Sequence, residues 1–316
     1  MKPRVMTVGE TAVVLDPIGD RCELGSGFRL GVSGAESNFG IALKRLGLDV
    51  TWISRLGGGP LGDLVERTLG AEGLDLRYVL RDEAAPTAVV FKIRRSGSTS
   101  LIYYRHGSAA SRMEPADVPD DALANVRGVH LTGITAAIGE GPRLLIESVA
   151  RRARASRAVT TFDLNYRPAL WSAGDAAAAC GRVLPNVDWV LCGEAEARLL
   201  FGGDQPVSVI DHLREAGASG VVLRVGADGA LVAAGAAVTH IPAVPVERII
   251  DDIGAGDAFD AGFTYGLAIG LDPSGSAEIG NVLAAKALSS TGEWETMPTI
   301  DELRRLVPAA MLPSNV

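Results

Sequence analysis

Short apolar, β-branched runs alternate along this chain with longer runs of helical periodicity, and that alternation narrows the possible folds more than any other feature. Strands are predicted over Arg4–Val8, Val50–Ser54, Val129–Leu131, Ala158–Phe162, Trp189–Leu191 and Gly220–Val225. Helices are predicted over Ser37–Leu46, Leu61–Ala71, Pro142–Arg154, Ala176–Val183, Glu194–Leu200, Val207–Ala216, Gly256–Ile269 and Ala277–Ser290. In the first of these, Phe39, Ala42, Leu43 and Leu46 fall at i, i+3, i+4 and i+7, one core-facing stripe. The alanines at 176–179 read as helix surface. Such alternation implies an α/β fold, a mostly parallel sheet covered by helices on both faces, with ligands at the carboxyl ends of the strands. Two stretches break the pattern. Residues 11–31 are Gly-rich and weakly strand-like; residues 87–106 read as a hairpin around Ser96-Gly97-Ser98. Two strands alone are marginal in water, so these segments are expected to pack as a small β-lid over a site or against a second copy.

The 316 residues, 47% of them hydrophobic, suit one large α/β domain or two small ones; the reading here is a single domain over 1–316. A net charge of −8 argues against nucleic acid as the main partner. Cys22, Cys180 and Cys192 form no C-x-x-C pair and read as free thiols of a reducing compartment. No apolar stretch of signal length follows Met1, and no window approaches ~18 apolar residues, so a cytoplasmic protein without a membrane span is expected. His106, His130, His212 and His240 lack ligand spacing, which leaves no zinc site.

Function is most legible in Asp251-Asp252-Ile253-Gly254-Ala255-Gly256-Asp257-Ala258-Phe259. An apolar run from Val244 to Ile250 leads into it, and Phe259, Phe263 and Leu267 follow at helical spacing. A glycine turn therefore opens a helix here. The first N–H groups of a helix lack internal partners and its dipole favours negative charge, so the segment is an anion hole suited to phosphate. A carboxylate beside a phosphate repels it unless it has a task. For Asp257 that task is to take a proton from an attacking hydroxyl. An ordinary helix start with an acidic first turn is the plain alternative.

Other constellations point the same way. Ser33 to Asn38 precedes the first strong helix; Gly34 permits a turn, and Asn38 can donate and accept as a polyol requires, although Ser37 could simply be an N-cap. Tyr103-Tyr104-Arg105 and Asp163-Leu164-Asn165-Tyr166-Arg167 each place an arginine at a strand end, where it can grip a carboxylate through two parallel hydrogen bonds or merely sit on the surface. Arg224 to Gly229 suits a nucleotide site or a plain hairpin turn. Gly57 to Gly62 matches G-x-G-x-x-G, but it lies outside the first βα unit, and Pro60 suits a helix start better than a dinucleotide turn.

In this order, these segments resemble the ribokinase-like (PfkB) carbohydrate kinases over nearly the whole chain, with Gly34-Ala35-Glu36-Ser37-Asn38 as front motif and Asp251 to Phe259 as rear motif. Within that family the chain is most similar to the 2-keto-3-deoxygluconate kinases, through Tyr103 to Ala109, His130 to Ile134, Asp163 to Pro168 and Trp171. The resemblance implies a ribokinase-like α/β domain with a β-lid, and use of ATP and Mg²⁺. It implies Asp257 as base, with Gly254, Ala255 and Gly256 stabilising the transferring phosphoryl group. Gly34, Asn38, Tyr103, Arg105, Ile134 and Arg167 would hold the acid; Asn165, Arg224, Gly226, Gly229 and Asn281 would bind the nucleotide; Glu196 would serve the metal. A homo-oligomer through the lid is expected. Asp252 stands where the family usually has Thr, Gly193 where it has the Asn of Asn-x-x-Glu, and Val89 and Val90 where related kinases place a tyrosine. A neutral-sugar kinase and a catalytically weak regulatory relative are therefore the alternatives.

Overall fold

Arg4–Val8 forms the first strand, β1, and its residues alternate between two cores: Val5 packs to one side of the sheet, Met6 and Val8 to the other. The computed structural model describes residues 2–19, 24–95, 98–289, 292–309 and 311–312. After β1 come β2 (Ala12–Pro17), β3 (Phe28–Ser33), α1 (Ala35–Arg45), β4 (Asp49–Ile53), β5 (Arg55–Gly57), α2 (Pro60–Ala71), β6 (Leu80–Asp82), β7 (Val89–Arg95) and β8 (Ser98–Tyr104). The middle of the chain holds α3 (Asp120–Leu123), β9 (Gly128–Thr132), α4 (Gly133–Ala137), α5 (Glu140–Ser156), β10 (Val159–Asp163), α6 (Ala173–Val183), β11 (Trp189–Gly193), α7 (Glu194–Phe201) and α8 (Pro206–Glu215). The last part holds β12 (Gly220–Arg224), β13 (Ala230–Ala234), β14 (Ala237–Ile241), α9 (Ala255–Ile269), α10 (Pro273–Leu288) and α11 (Ile300–Leu306).

The main sheet has the order β14-β13-β12-β11-β10-β9-β1-β4. It is parallel from β4 to β12; β13 and β14 form an antiparallel edge hairpin. Helices α5 to α8 bury their apolar sides on one face, and α1, α9, α10 and α11 on the other. The strand order reverses beside β1, so the crevice between the carboxyl ends of β1 and β9 is where this topology places ligands. A second sheet, β3-β2-β7-β8, stands beside that crevice. Backbone contact between α9 and α10 fixes the neighbouring helix: a Cβ on Gly262 would lie 2.8 Å from the Gly280 Cα.

The helical stripe of α1 is fully buried, as its spacing predicts. Gly34, not Ser37, occupies the N-cap of α1, and Ser37 donates back to the Gly34 carbonyl. Pro60 opens α2, the role its fixed φ favours. The run from Val244 to Ile250 forms no strand; Ile249 and Ile250 are exposed. Ala176 and Ala179 are buried instead of on the surface, because α6 packs closely against α5 and α7 through small side chains. Cys180 and Cys192 are free and buried; Cys22, Ser96, Gly97 and Ser290 lie outside the described residues. Among the described residues, no helix is long and apolar enough to cross a membrane.

Candidate active site

Asp257 sits in the first turn of α9, and its side chain opens into a small cleft of about 80 Å³ between the two sheets. Gly254 caps that helix with φ 81°, a left-handed geometry that glycine adopts without strain. A Cβ there would meet the Glu293 carbonyl at 3.0 Å. Ala255 and Gly256 follow in the first turn; the Ala255 amide makes a long bond to the Asp252 carbonyl at 3.4 Å, while those of Gly256 and Asp257 belong to the turn whose N–H groups a helix leaves without internal partners. Asn38 Nδ2 donates to Asp257 Oδ2 at 2.8 Å. Burial pushes the Asp257 carboxyl up to about 7; the Asn38 hydrogen bond and the Arg167 charge oppose that rise, while Asp163 and Glu293 add to it. A carboxyl poised near neutrality suits a general base.

The other walls carry the polar groups that a small acid would meet. Gly34, Asn38, Tyr103, Arg105, Ile134 and Arg167 all line this cleft. Arg105 donates from Nε and Nη2 to Glu10 Oε2, at 2.7 and 2.5 Å, while its Nη1 is buried without a partner. Ser108 also donates to Glu10, at 2.5 Å. Arg105 is thus charge-compensated yet keeps one directed donor free. Arg167 is exposed at the rim and makes no hydrogen bond or ion pair among the described residues. Glu36 is buried at the crevice, where Thr132 and Thr135 each donate to its Oε1 at 2.5 Å. Burial raises its pKa against those two hydrogen bonds.

The residues expected along a nucleotide lie outside the lining of this cleft. Arg224 is clamped by Asp260 and by Asp163, the latter at 3.0 Å, with Glu196 at 3.6 Å. Its guanidinium lies beneath Gly256, where a Cβ would be 3.7 Å from Arg224 Cζ. Burial works to raise Asp163, but Arg224, Asp260 and His130 overcome it and hold the carboxyl low; burial pushes Asp260 well up. Asn165 donates to Asp163 at 3.1 Å and leaves its Oδ1 buried without a partner. Gly226 faces open space. Gly229 admits no Cβ, which would meet the Ile241 carbonyl, and Asn281 holds the Ile241 and Pro242 carbonyls, so both fix the end of β14. Glu196 accepts from the Gly193 and Tyr166 backbone amides at 2.6 and 2.9 Å, which ties α7 to the Asn165–Arg167 loop.

Residues 2–300 match the pfkB family carbohydrate kinases. The chain belongs to that family. It is therefore a carbohydrate kinase with a ribokinase-like fold. It is 31% identical over 314 residues to a 2-dehydro-3-deoxygluconokinase of Bacillus subtilis (strain 168), covering 98% of this chain and 97% of that one. A 2-dehydro-3-deoxygluconokinase of Thermoproteus tenax is 32% identical, with 89% and 87% covered. A solved PfkB protein from Polaromonas sp. JS666 superposes with a TM-score of 0.87 at 32% identity, covering 96% and 99%.

Sequence reading assigns no role to three acids that line the cleft of this pfkB kinase, Glu10, Glu36 and Glu293, nor to Lys92, which pairs with Glu293 beside it. Glu10 and Glu36 carried a signal, since Glu10 follows the apolar first strand and Glu36 lies in the glycine turn of the front motif. Lys92 and Glu293 carried none. They form a buried ion pair at 2.8 Å, with side chains 6% and 7% exposed. Burial pulls the Lys92 pKa down, but Glu293, Asp251 and Asp16 more than offset it.

Proposed function

We propose that this pfkB kinase transfers the γ-phosphoryl group of ATP to a primary hydroxyl of a small sugar acid, with 2-keto-3-deoxygluconate as the expected acceptor. The observation that carries this reading is the shared cleft: the Asp257 carboxyl and the two arginines, Arg105 and Arg167, open into one space.

The acceptor hydroxyl gives its proton to Asp257, and the resulting oxygen bonds to the γ-phosphorus as the bond to the bridging oxygen of ADP breaks. Phosphoryl transfer asks a protein for positioning and charge stabilisation. The amides of Gly254, Ala255 and Gly256 meet the charge on the transferring group. Each such donor contributes about 2.7–4 kcal/mol by analogy with oxyanion holes. Arg167 and the free Nη1 of Arg105 take the substrate carboxylate, while Gly34, Asn38, Tyr103 and Ile134 shape the rest of its seat. Asn165 and Gly226 are the nucleotide contacts best placed to act directly; Arg224 adds positive charge from behind Gly256, and Gly229 and Asn281 hold the surrounding backbone.

Among the described residues there is no cluster of three or more metal-binding side chains. That fits an ion carried on the nucleotide phosphates with its own waters, since magnesium is commonly held this way by one or two carboxylates. Glu196 and Asp163 would reach its water shell, and the ion would neutralise phosphate charge. The apolar residues exposed on the second sheet, Leu30, Ile102 and Tyr104, with Ile18 just past β2, support pairing of two copies through the lid. Net acidity and the lack of a membrane-crossing helix among the described residues agree with a cytoplasmic enzyme.

Glu10 favours a second reading. By neutralising Arg105 it lets that arginine serve a neutral sugar through hydrogen bonds alone. ADP release from Mg-ATP with 2-keto-3-deoxygluconate, fructose and ribose in parallel separates the two. The acid reading expects a higher kcat/KM for the keto-acid; preference for fructose or ribose would replace it with the neutral-sugar reading.

A further inference from the structure

Four separate elements meet at the Glu293 carboxylate. Lys92 of β7 pairs with its Oε1 at 2.8 Å, and Ser33 at the end of β3 donates to its Oε2. Asn38 Nδ2 of α1 also donates to Oε2, at 3.2 Å. The Glu293 backbone packs on Gly254, the cap of α9. The same Asn38 nitrogen donates to Asp257 at 2.8 Å, so one amide NH₂ bridges two carboxylates. An amide can be turned either way. With two carboxylates on one side, only the orientation that presents NH₂ to them is tolerated. That orientation leaves Asn38 Oδ1 as a buried acceptor without a partner, in a residue that lines the substrate cleft.

We propose that Glu293 is a positioning residue for phosphoryl transfer: it locks the Asn38 amide toward Asp257, and Lys92 supplies, from the second sheet, the countercharge that lets a second carboxylate stand beside the base. This inference rests on the reading of Asp257 as base. It assigns Lys92 and Glu293 a task that neither has by direct contact with the transferred group. It also ties the electrostatics of the base to the position of β7, the strand that pairs with β2 and β8. The titratable and charged groups facing this set are Lys92 from β7, Asp16 from β2, Tyr103 from β8, Asp251 from the segment before α9, Arg167 from the loop after β10, Asp163 from β10, Asp260 from α9, Glu295 beside Glu293, and Asp257 itself.

Opposite changes of charge provide the test. Glu293→Gln removes a negative charge and leaves Lys92 positive, so the acidic limb of the kcat–pH profile moves to lower pH. Lys92→Met leaves Glu293 uncompensated and moves that limb to higher pH. Each shift is expected to be about one unit, the scale for a charge a few ångströms away. Both variants lose about tenfold or more in kcat, and the double variant returns the limb toward the wild-type position. A purely structural role lowers kcat without moving the limb in opposite directions. Unmoved limbs, or shifts of the same sign, overturn the proposal. Where either variant fails to fold, Glu293→Asp decides: its charge remains but its reach to Asn38 is lost, so kcat falls with the limb in place, and wild-type kcat overturns the proposal. Asp257→Asn is measured alongside. Turnover in that variant defeats the base reading itself; a dead Asp257→Asn with unmoved limbs in the other two defeats only the role of Lys92 and Glu293.

Discussion

Asn38 donates to the Asp257 carboxylate at 2.8 Å from a helix 219 residues earlier in the chain. The contact joins the two motifs that bracket the fold. It also sets a balance, because burial pushes the Asp257 carboxyl up to about 7 while Asn38 and Arg167 pull against that rise.

A base with this pKa gives turnover a specific pH dependence. The deprotonated carboxylate is the active form, so kcat rises as pH increases through about 7 and levels off above it. A kcat–pH profile at saturating substrates checks this. A flat profile from pH 5.5 to 8.5 would remove Asp257 as the titrating base.

The same shift has a cost in stability, and its sign can be worked out. The folded pKa of Asp257 lies above its ordinary value of 3.8. Its stabilising contribution is therefore fully present below about 3.8 and is lost as pH rises through about 7. Asp257→Asn cannot ionise, so its Tm relative to wild type increases between pH 4 and pH 8. Thermal melts at the two pH values read this directly, and a difference independent of pH would contradict the burial of that charge.

Arg167 is exposed at the cleft rim and its side chain makes no hydrogen bond or ion pair among the described residues, although its charge acts on Asp257. Arg167→Ala is expected to weaken a carboxylate substrate by about 1.5–3 kcal/mol, the range for hydrogen bonds to charged groups. That appears as roughly a tenfold or greater rise in KM for the keto-acid, with KM for ATP unchanged. An unchanged KM for the acid removes Arg167 from the carboxylate seat.

The α9–α10 contact is a test of the scaffold. A Cβ at Gly262 would approach the Gly280 Cα to 2.8 Å, and both partners are backbone. Gly262→Ala therefore forces the helices apart, at a cost of about 1–3 kcal/mol. A lowered Tm is expected, with reduced turnover because α9 carries Asp257. A wild-type Tm would show that the helices can separate freely.

Much of this was legible in the sequence because strands and helices here are local patterns. The stripe Phe39, Ala42, Leu43 and Leu46 needs only its own spacing, and it is buried as that spacing requires. The glycine turn before Asp257 is similarly local. Relations between distant residues were not legible. Nothing near Arg105 announces that Glu10, 95 residues earlier, neutralises it. Nothing near Glu293 announces Lys92 or Asn38. The apolar run before the rear motif, which the sequence assigned to no element, forms no strand, and its Ile249 and Ile250 stay exposed.

Asp257→Asn tests the central claim most directly, with turnover and nucleotide affinity measured on the same preparation. The expected result is a loss of roughly 10²–10⁴-fold or more in kcat for sugar phosphorylation, with ATP Kd unchanged. Wild-type kcat in this variant would contradict the account, because the proton from the acceptor hydroxyl would then have another destination.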